Sequence, residues 1–539
     1  MGIIRREEEQ RVKTETRSTN RKTRAGNHSG RAGSFRRALA VLCILTIGLM
    51  LGQAALADDG FSTSYTYTYD YWEEPQSSPD AYRVATVVDS MTLGLENLEG
   101  VRINKPQALY ARGNLLYVCD TSNNRILELE RKDNAFSVRR IIREMTGGPV
   151  NTFSQPYDVF ADGEGNLYVA DYGNQRVTKM DRNLNWIQDF TKPSDATFDQ
   201  SLNFLPRKIV VDVAGRVYAL CQNVNKGLAK YEADGTFSGF IGANSVSVSM
   251  AEYIWKRYFQ TKEQRAQTES FVPTEYENIY IDSEGFIYAT NIVFSEYDLK
   301  SDSAKPIRRL NSLGSDILIK NDRFPPIGDL WWVEQGSESS GPSKFVDITV
   351  MNNDIYVALD RTRGRLFGYD SQGVLLWAFG TKGNVEGAFT GAISVEHMGY
   401  DLLVMDQLEN SITLFQTTEY GQTIYDASEA YLRGEYDESA ELWRNVLKMN
   451  ANYPLAFRGI GRAILRQNQY EDAMDYFKLA HDRQNYGRAF KLYRKEWVEA
   501  NIGWILLIVG AALLIPLGIG RVRRMKREVI MHEHSKVRK

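Results

Sequence analysis

Between Gln155 and Asp181 the chain runs through three short apolar–polar stretches separated by turn clusters. Tyr157, Val159 and Ala161 alternate with polar neighbours, the period of a half-buried strand. Asp162–Asn166 is a turn, because Gly accepts positive φ and Asp and Asn bond their own backbone. Leu167–Ala170 is a second strand, and after Asp171–Asn174 the chain returns through Arg176–Met180. A meander this short cannot bury its faces alone and predicts copies beside it. Five copies follow the same plan, opening near Pro106, Pro206, Pro273, Lys344 and Gly391. The aligned inner positions are Tyr117, Tyr168, Tyr218, Tyr288, Tyr356 and Leu403, which lie 51, 50, 70, 68 and 47 residues apart. Four-stranded blades run at ~40–50 residues. The two long intervals are therefore a repeat plus an insertion, placed at 247–271 and 321–343. Tyr82–Asp89 is a further strand, expected to complete the last repeat and close a ring, since closure removes exposed edges.

Within the first insertion, Met250, Tyr253, Ile254 and Phe259 fall at helical spacing, which predicts a helical excursion that either caps the central hole or serves as a lid or docking surface. The second carries Trp331 and Trp332, which point to opposite faces of an extended chain and are the candidate ligand-binding residues. Residues 58–80 alternate Tyr with small polar residues and then turn to Glu, Pro and Ser. This reads as an extended, poorly ordered linker whose tyrosines are available to stack on sugars.

After Tyr420 the period becomes helical. Runs at 423–433, 436–449, 453–467 and 470–481 form two hairpins, and a fifth at 486–500 caps them. Ala427, Tyr431, Gly434, Tyr436, Ala440, Trp443 and Pro454, followed by Gly461, Ala463, Tyr470, Ala473, Phe477 and Ala480, resemble the tetratricopeptide pattern. That resemblance implies a protein-binding surface over 421–500; the other reading is a spacer.

Two uniform apolar stretches frame the chain. Residues 39–54, preceded by Arg36 and Arg37 and followed by Ala55-Leu56-Ala57, read as a signal peptide over 1–57 with a long basic lead, or as an uncleaved anchor. Residues 501–520 are long enough to span a ~30 Å hydrocarbon core. Arg521, Arg523, Arg524, Lys526 and Arg527 follow at once, which places the 521–539 tail in the cytoplasm and the bulk of the chain outside, in a single-pass cell-membrane protein.

The repeats carry a resemblance of their own. A Pro-led strand, D-x-x-G, a Y-V-[AC]-D strand and then x4-R-[IV] is similar to the NHL repeat, best at Pro106 and Pro156. The resemblance implies the four-stranded blades of a β-propeller; with the hairpins and the apolar span, the expected fold is mainly β: a six-bladed NHL-type β-propeller over 81–418, then tetratricopeptide-like α-helical hairpins and one transmembrane helix. Asp120 with Arg125, Asp171 with Arg176, and Asp360 with Arg365 keep the Asp–Arg spacing and are expected to be structural ion pairs. Asp406 faces Ser411, so the pair is lost in the last blade.

Charge sharpens the picture. The whole chain is −3. Residues 1–37 carry +7 and residues 521–539 carry +6, which leaves −16 for the body between them. An acidic body with basic, membrane-flanking ends argues against nucleic acid as a partner. Cys119 and Cys221 fall in blades that are not neighbours, so two separate thiols are expected. Only His397 and His481 lie in the body, and no nucleophile-elbow, phosphate-loop or zinc-protease motif is present.

The order of parts resembles membrane-anchored NHL-repeat proteins of Gram-positive bacteria, named for gluconolactonase by similarity and encoded beside sugar-uptake transporters. It implies a non-enzymatic, surface-anchored binding or scaffold protein, with a protein partner on the helical repeats, a carbohydrate as a further partner, and no cofactor. The alternative is a gluconolactonase-like hydrolase with one divalent metal held by Glu, Asn and Asp in the channel. A quinone-dependent propeller, suggested by Gly373–Gly380, ranks last because its Trp377 motif occurs once.

Overall fold

A computed structural model describes residues 66–70, 72, 74–243, 276–292, 294, 305–319, 326–329, 341–351 and 353–536. The chain divides between residues 62 and 63, and all the described residues belong to the second unit. Six antiparallel meanders form the blades of a propeller. Their innermost strands are Ala108–Arg112, Pro156–Ala161, Pro206–Val211, Asn278–Ile281, Phe345–Val350 and Ala392–Met398. These strands touch in chain order, and the sixth returns to the first. Tyr82–Val88 pairs with Ser411–Thr417 as the fourth strand of blade six, which is the closure the sequence led us to expect.

Local chemistry explains the repetition. In blades two, three and four the first turn is D-x-x-G. Asp162, Asp212 and Asp282 each accept two backbone N–H groups two and four residues on. Gly165, Gly215 and Gly285 take the positive φ (78–88°) that this turn needs. The Asp that ends the second strand ties down the loop leading into its own blade: Asp120, Asp171, Asp360 and Asp406 accept from the N–H of Asn104, Ser154, Lys344 and Thr390.

Three expectations need correction. First, residues 58–80 are not a loose linker where they are described. Tyr67–Tyr69 and Pro75–Ser77 form a hairpin hydrogen-bonded to the outer strand of blade five, Leu375–Phe379. The hydroxyls of Tyr67 and Tyr69 both donate to Asp329, so these two rings are packed and not free to stack on sugars. Second, Asp360 and Arg365 are register partners whose side chains do not pair among the described residues. Arg365 turns to Asp329 and to the Tyr67 hydroxyl, while Asp360 accepts from Ser343 Oγ at 3.0 Å. The buried carboxylate brought in at 329 out-competes the in-blade partner. Third, Val357, not Tyr356, is the blade-five equivalent of Tyr168. The 1–57 segment, the 247–271 insertion, and Trp331 and Trp332 lie outside the described residues.

Beyond the propeller, α1 (Glu419–Arg433), α2 (Tyr436–Met449), α3 (Pro454–Arg466) and α4 (Tyr470–Leu479) pack in sequence. Thr418 caps α1, and Gly434 ends it in the left-handed conformation. Gly459 and Gly461 let α3 approach its neighbours: a Cβ there would lie 2.4 Å from Trp443 and 2.8 Å from Phe477. α5 (Arg483–Lys536) is continuous and contains the one helix, among the described residues, long and apolar enough to cross a membrane. α1 and α3 share one apolar core with blades five and six. Trp377 Nε1 donates to Tyr425 Oη at 3.0 Å, Tyr82 and Tyr425 hydroxyls meet at 2.5 Å, and Tyr453 Oη donates to the Leu376 carbonyl. Trp377 is therefore a packing residue.

Candidate functional site

Four inner strands open on a β-bulge, at Asp158, Lys208, Asp347 and Ser394, where the register against the second strand shifts. The residue after each shift, together with Ala108 and Asn278 at the same register in the two blades without one, defines one level of the ring: Ala108, Asp158, Lys208, Asn278, Asp347 and Ser394. Several reach the next blade. Asp158 Oδ2 accepts from Ile209 N at 2.8 Å, Asp347 Oδ2 from Val395 N at 2.8 Å, and Ser394 Oγ from Leu109 N at 3.2 Å. The level below holds Tyr110, Phe160, Tyr280, Thr349 and Glu396. Tyr110 and Phe160 rings lie 4.9 Å apart, and Thr349 Oγ1 bonds both Glu396 and His397 Nδ1. Asp158, Lys208, Asn278 and Asp347 of the first level and Tyr110, Phe160, Tyr280 and Glu396 of the second line a cavity of about 650 Å³.

Its electrostatics centre on Lys208. The ammonium stands 3.8 Å from Asp158 Oδ1, with the lysine side chain 15% exposed. Burial works to lower the Lys208 pKa, but Asp158 and Asp347 outweigh it and the net shift is upward. Burial lifts both Asp158 and Asp347 to about 6, against the opposing pull of Lys208. An acid that binds its proton more tightly when folded gives stability that is full below the unfolded value of 3.8 and lost as pH rises through about 6. We therefore expect Asp158→Asn to gain stability relative to the parent between pH 4 and pH 7. The gain is on the order of 2 kcal/mol, read from denaturant midpoints at each pH; a constant offset would contradict it.

A lactonase-type metal does not fit these residues. Asp347 Oδ1 already accepts from the Asn278 amide and from Ile348 N, and Asn278 Oδ1 accepts from Ile279 N. Asp158 and Asp347 are matched by a lysine cation of the chain's own. Among the described residues, the group of carboxylates whose oxygens converge is Asp282, Glu284 and Asp354, and Arg309 reaches all three at 2.8, 3.0 and 3.8 Å.

The Asp–Arg residues singled out by spacing lie away from the channel level. Arg125 Nε meets Asp120 Oδ2 at 2.6 Å and Arg176 Nε meets Asp171 Oδ2 at 2.9 Å. Cys119 and Cys221 are buried and not joined in a disulfide. The channel residues were missed because the bulge inverts strand alternation. The available signal was their common place, two residues beyond the Pro that opens blades one to three.

No protein-family model matches the sequence, and no curated protein resembles it closely enough to count as a match. Solved structures overlap the chain only loosely. A streptogramin B lyase is 9% identical, over 63% of this chain and 100% of its own, with a TM-score of 0.36. Virginiamycin B lyase from Staphylococcus aureus is 9% identical, over 62% and 100%, with a TM-score of 0.35. A putative gluconolactonase is 10% identical, over 63% and 94%, with a TM-score of 0.37. At this distance these proteins say nothing of the chemistry here.

Proposed function

We propose that the chain is a membrane-tethered, extracytoplasmic binding protein whose propeller channel takes a small polar ligand. The observation that carries this is Lys208, a charged donor set between Asp158 and Asp347 at the wall of a 650 Å³ cavity. In this reading the apolar part of α5 crosses the bilayer and its Arg-rich end stays in the cytoplasm. The tetratricopeptide-like hairpins mount the propeller on that helix. The α1 and α3 faces that such repeats offer to partners are occupied by blades five and six. A protein partner therefore docks on the open faces of α2 and α4. The lactonase alternative is disfavoured by the filled oxygens of Asp347 and by the Lys208 cation beside Asp158.

The test is equilibrium dialysis of the full chain against a small-molecule extract, with mass spectrometry of what is retained. A retained compound is expected, indifferent to chelator. Lys208→Met should weaken its retention at least tenfold, the loss of one charge-assisted hydrogen bond of about 1.5–3 kcal/mol. Chelator-sensitive lactone hydrolysis by the same preparation would overturn the reading.

A further inference from the structure

Resting on the channel reading above, we infer that the ligand is an uncharged vicinal diol, a sugar ring held by Lys208 and Asp158. Among the described residues the Lys208 ammonium makes no hydrogen bond, and its nearest carboxylate oxygen, Asp158 Oδ1, is 3.8 Å away. That gap is too long for a direct bond. It is short enough for two neighbouring hydroxyls to lie across it, one accepting from Nζ and the other donating to Oδ1. Asp158 is held for this task. It is 6% exposed, and its Oδ2 is fixed by Ile209 N at 2.8 Å, so the carboxylate cannot swing toward the lysine. An ammonium has only donors and an ionised carboxylate only acceptors. A hydroxyl pair, which is both, satisfies the two together.

Charge narrows the class. Lys208 is already balanced by Asp158 and Asp347, and Glu396, 3% exposed, adds a further carboxylate one level below. The acids outnumber the lysine, so an anionic ligand gains no net attraction there. An ammonium ligand would compete with Lys208 for Asp158, whereas a neutral diol uses both groups as they stand. The level below supplies the apolar wall a sugar ring needs: Tyr110 and Phe160 side by side, with Tyr280 across from them. The cavity volume suits a ligand of one or two rings.

The experiment is calorimetric titration of the full chain, held in a detergent without a sugar headgroup. The titrants are glucose, galactose, mannose, xylose and myo-inositol, then gluconate, glucuronate and glucose 6-phosphate, then glucosamine. At least one neutral compound is expected to bind tenfold or more tightly than its acidic and amino counterparts. Lys208→Met and Asp158→Asn, each checked for an unchanged circular dichroism spectrum, should each weaken it at least tenfold. Lys208→Gln, which keeps a donor, should recover part of the loss. If an acid or an amine binds best and still depends on Lys208, the channel reading stands and the diol is wrong. If a neutral sugar binds but neither variant weakens it, the sugar sits elsewhere and the inference fails. If no titrant binds and dialysis retains nothing, both readings fall together.

Discussion

Deleting residues 66–89 is expected to leave a chain with no cooperative unfolding transition. The segment does two jobs that nothing else described in the structure can do. Tyr82–Val88 is the outer strand of blade six, paired from Ile412 to Thr417 across one register shift, and its loss turns a closed blade into an exposed edge. Tyr82 is 1% exposed, donates to the Tyr400 carbonyl at 2.9 Å, meets Tyr425 and stacks on Phe379. Val88, 3% exposed, belongs to the core shared by blades six and one. Removing Tyr67 and Tyr69 at the same time leaves Asp329, 4% exposed, without two of its donors. Each large buried side chain is worth about 3–5 kcal/mol on truncation, and a domain has only about 5–15 in hand. Calorimetry of the purified chain checks it; a transition within a few degrees of the parent would show that the ring does not need its closing strand.

The second large effect comes from a single carboxylate. Asp120→Ala is expected to cost about 3–5 kcal/mol, the range for stranding one member of a buried ion pair. Arg125 and Asp120 are both fully buried, with Nε to Oδ2 at 2.6 Å. Arg125 also reaches Glu99 at 2.5 Å and the Val101 carbonyl at 3.0 Å, so its position is fixed from several sides and it cannot follow water. Asp120 accepts from Asn104 N and Asn123 Nδ2 as well, and the alanine leaves those donors unmet. Arg102→Ala is the comparison: its pair with Glu96 is 75% and 54% exposed, and its loss should cost under about 1 kcal/mol. Denaturant midpoints measure both; similar costs would mean that burial does not set the strength of these pairs.

What was legible in the sequence was what each meander writes locally. The D-x-x-G turns, the strand alternation and the Pro-led starts need no distant partner, so the six blades follow from spacing. Closure by Tyr82–Val88 was legible because a ring has one free edge to fill. Pairing of Tyr67–Tyr69 with blade five was not, since Tyr67 meets Ala378 some three hundred residues on and no local pattern encodes that register. Arg365 was misread for the same reason, because Asp329 comes from another loop. The channel site was half legible. Asp158, Lys208 and Asp347 stand at equivalent places in their blades, but only the bulge shows that those places face inward.

In the proposed reading the channel is the ligand site and Lys208 serves there in place of a metal. A cryo-electron microscopy map of the full chain, prepared with the compound that dialysis retains, tests it most directly. Density is expected in the cavity within hydrogen-bond reach of Lys208 Nζ and Asp158 Oδ1. An empty channel with the compound on the helical hairpins, or a metal peak among Asp158, Asn278 and Asp347 with Lys208 displaced, would contradict it.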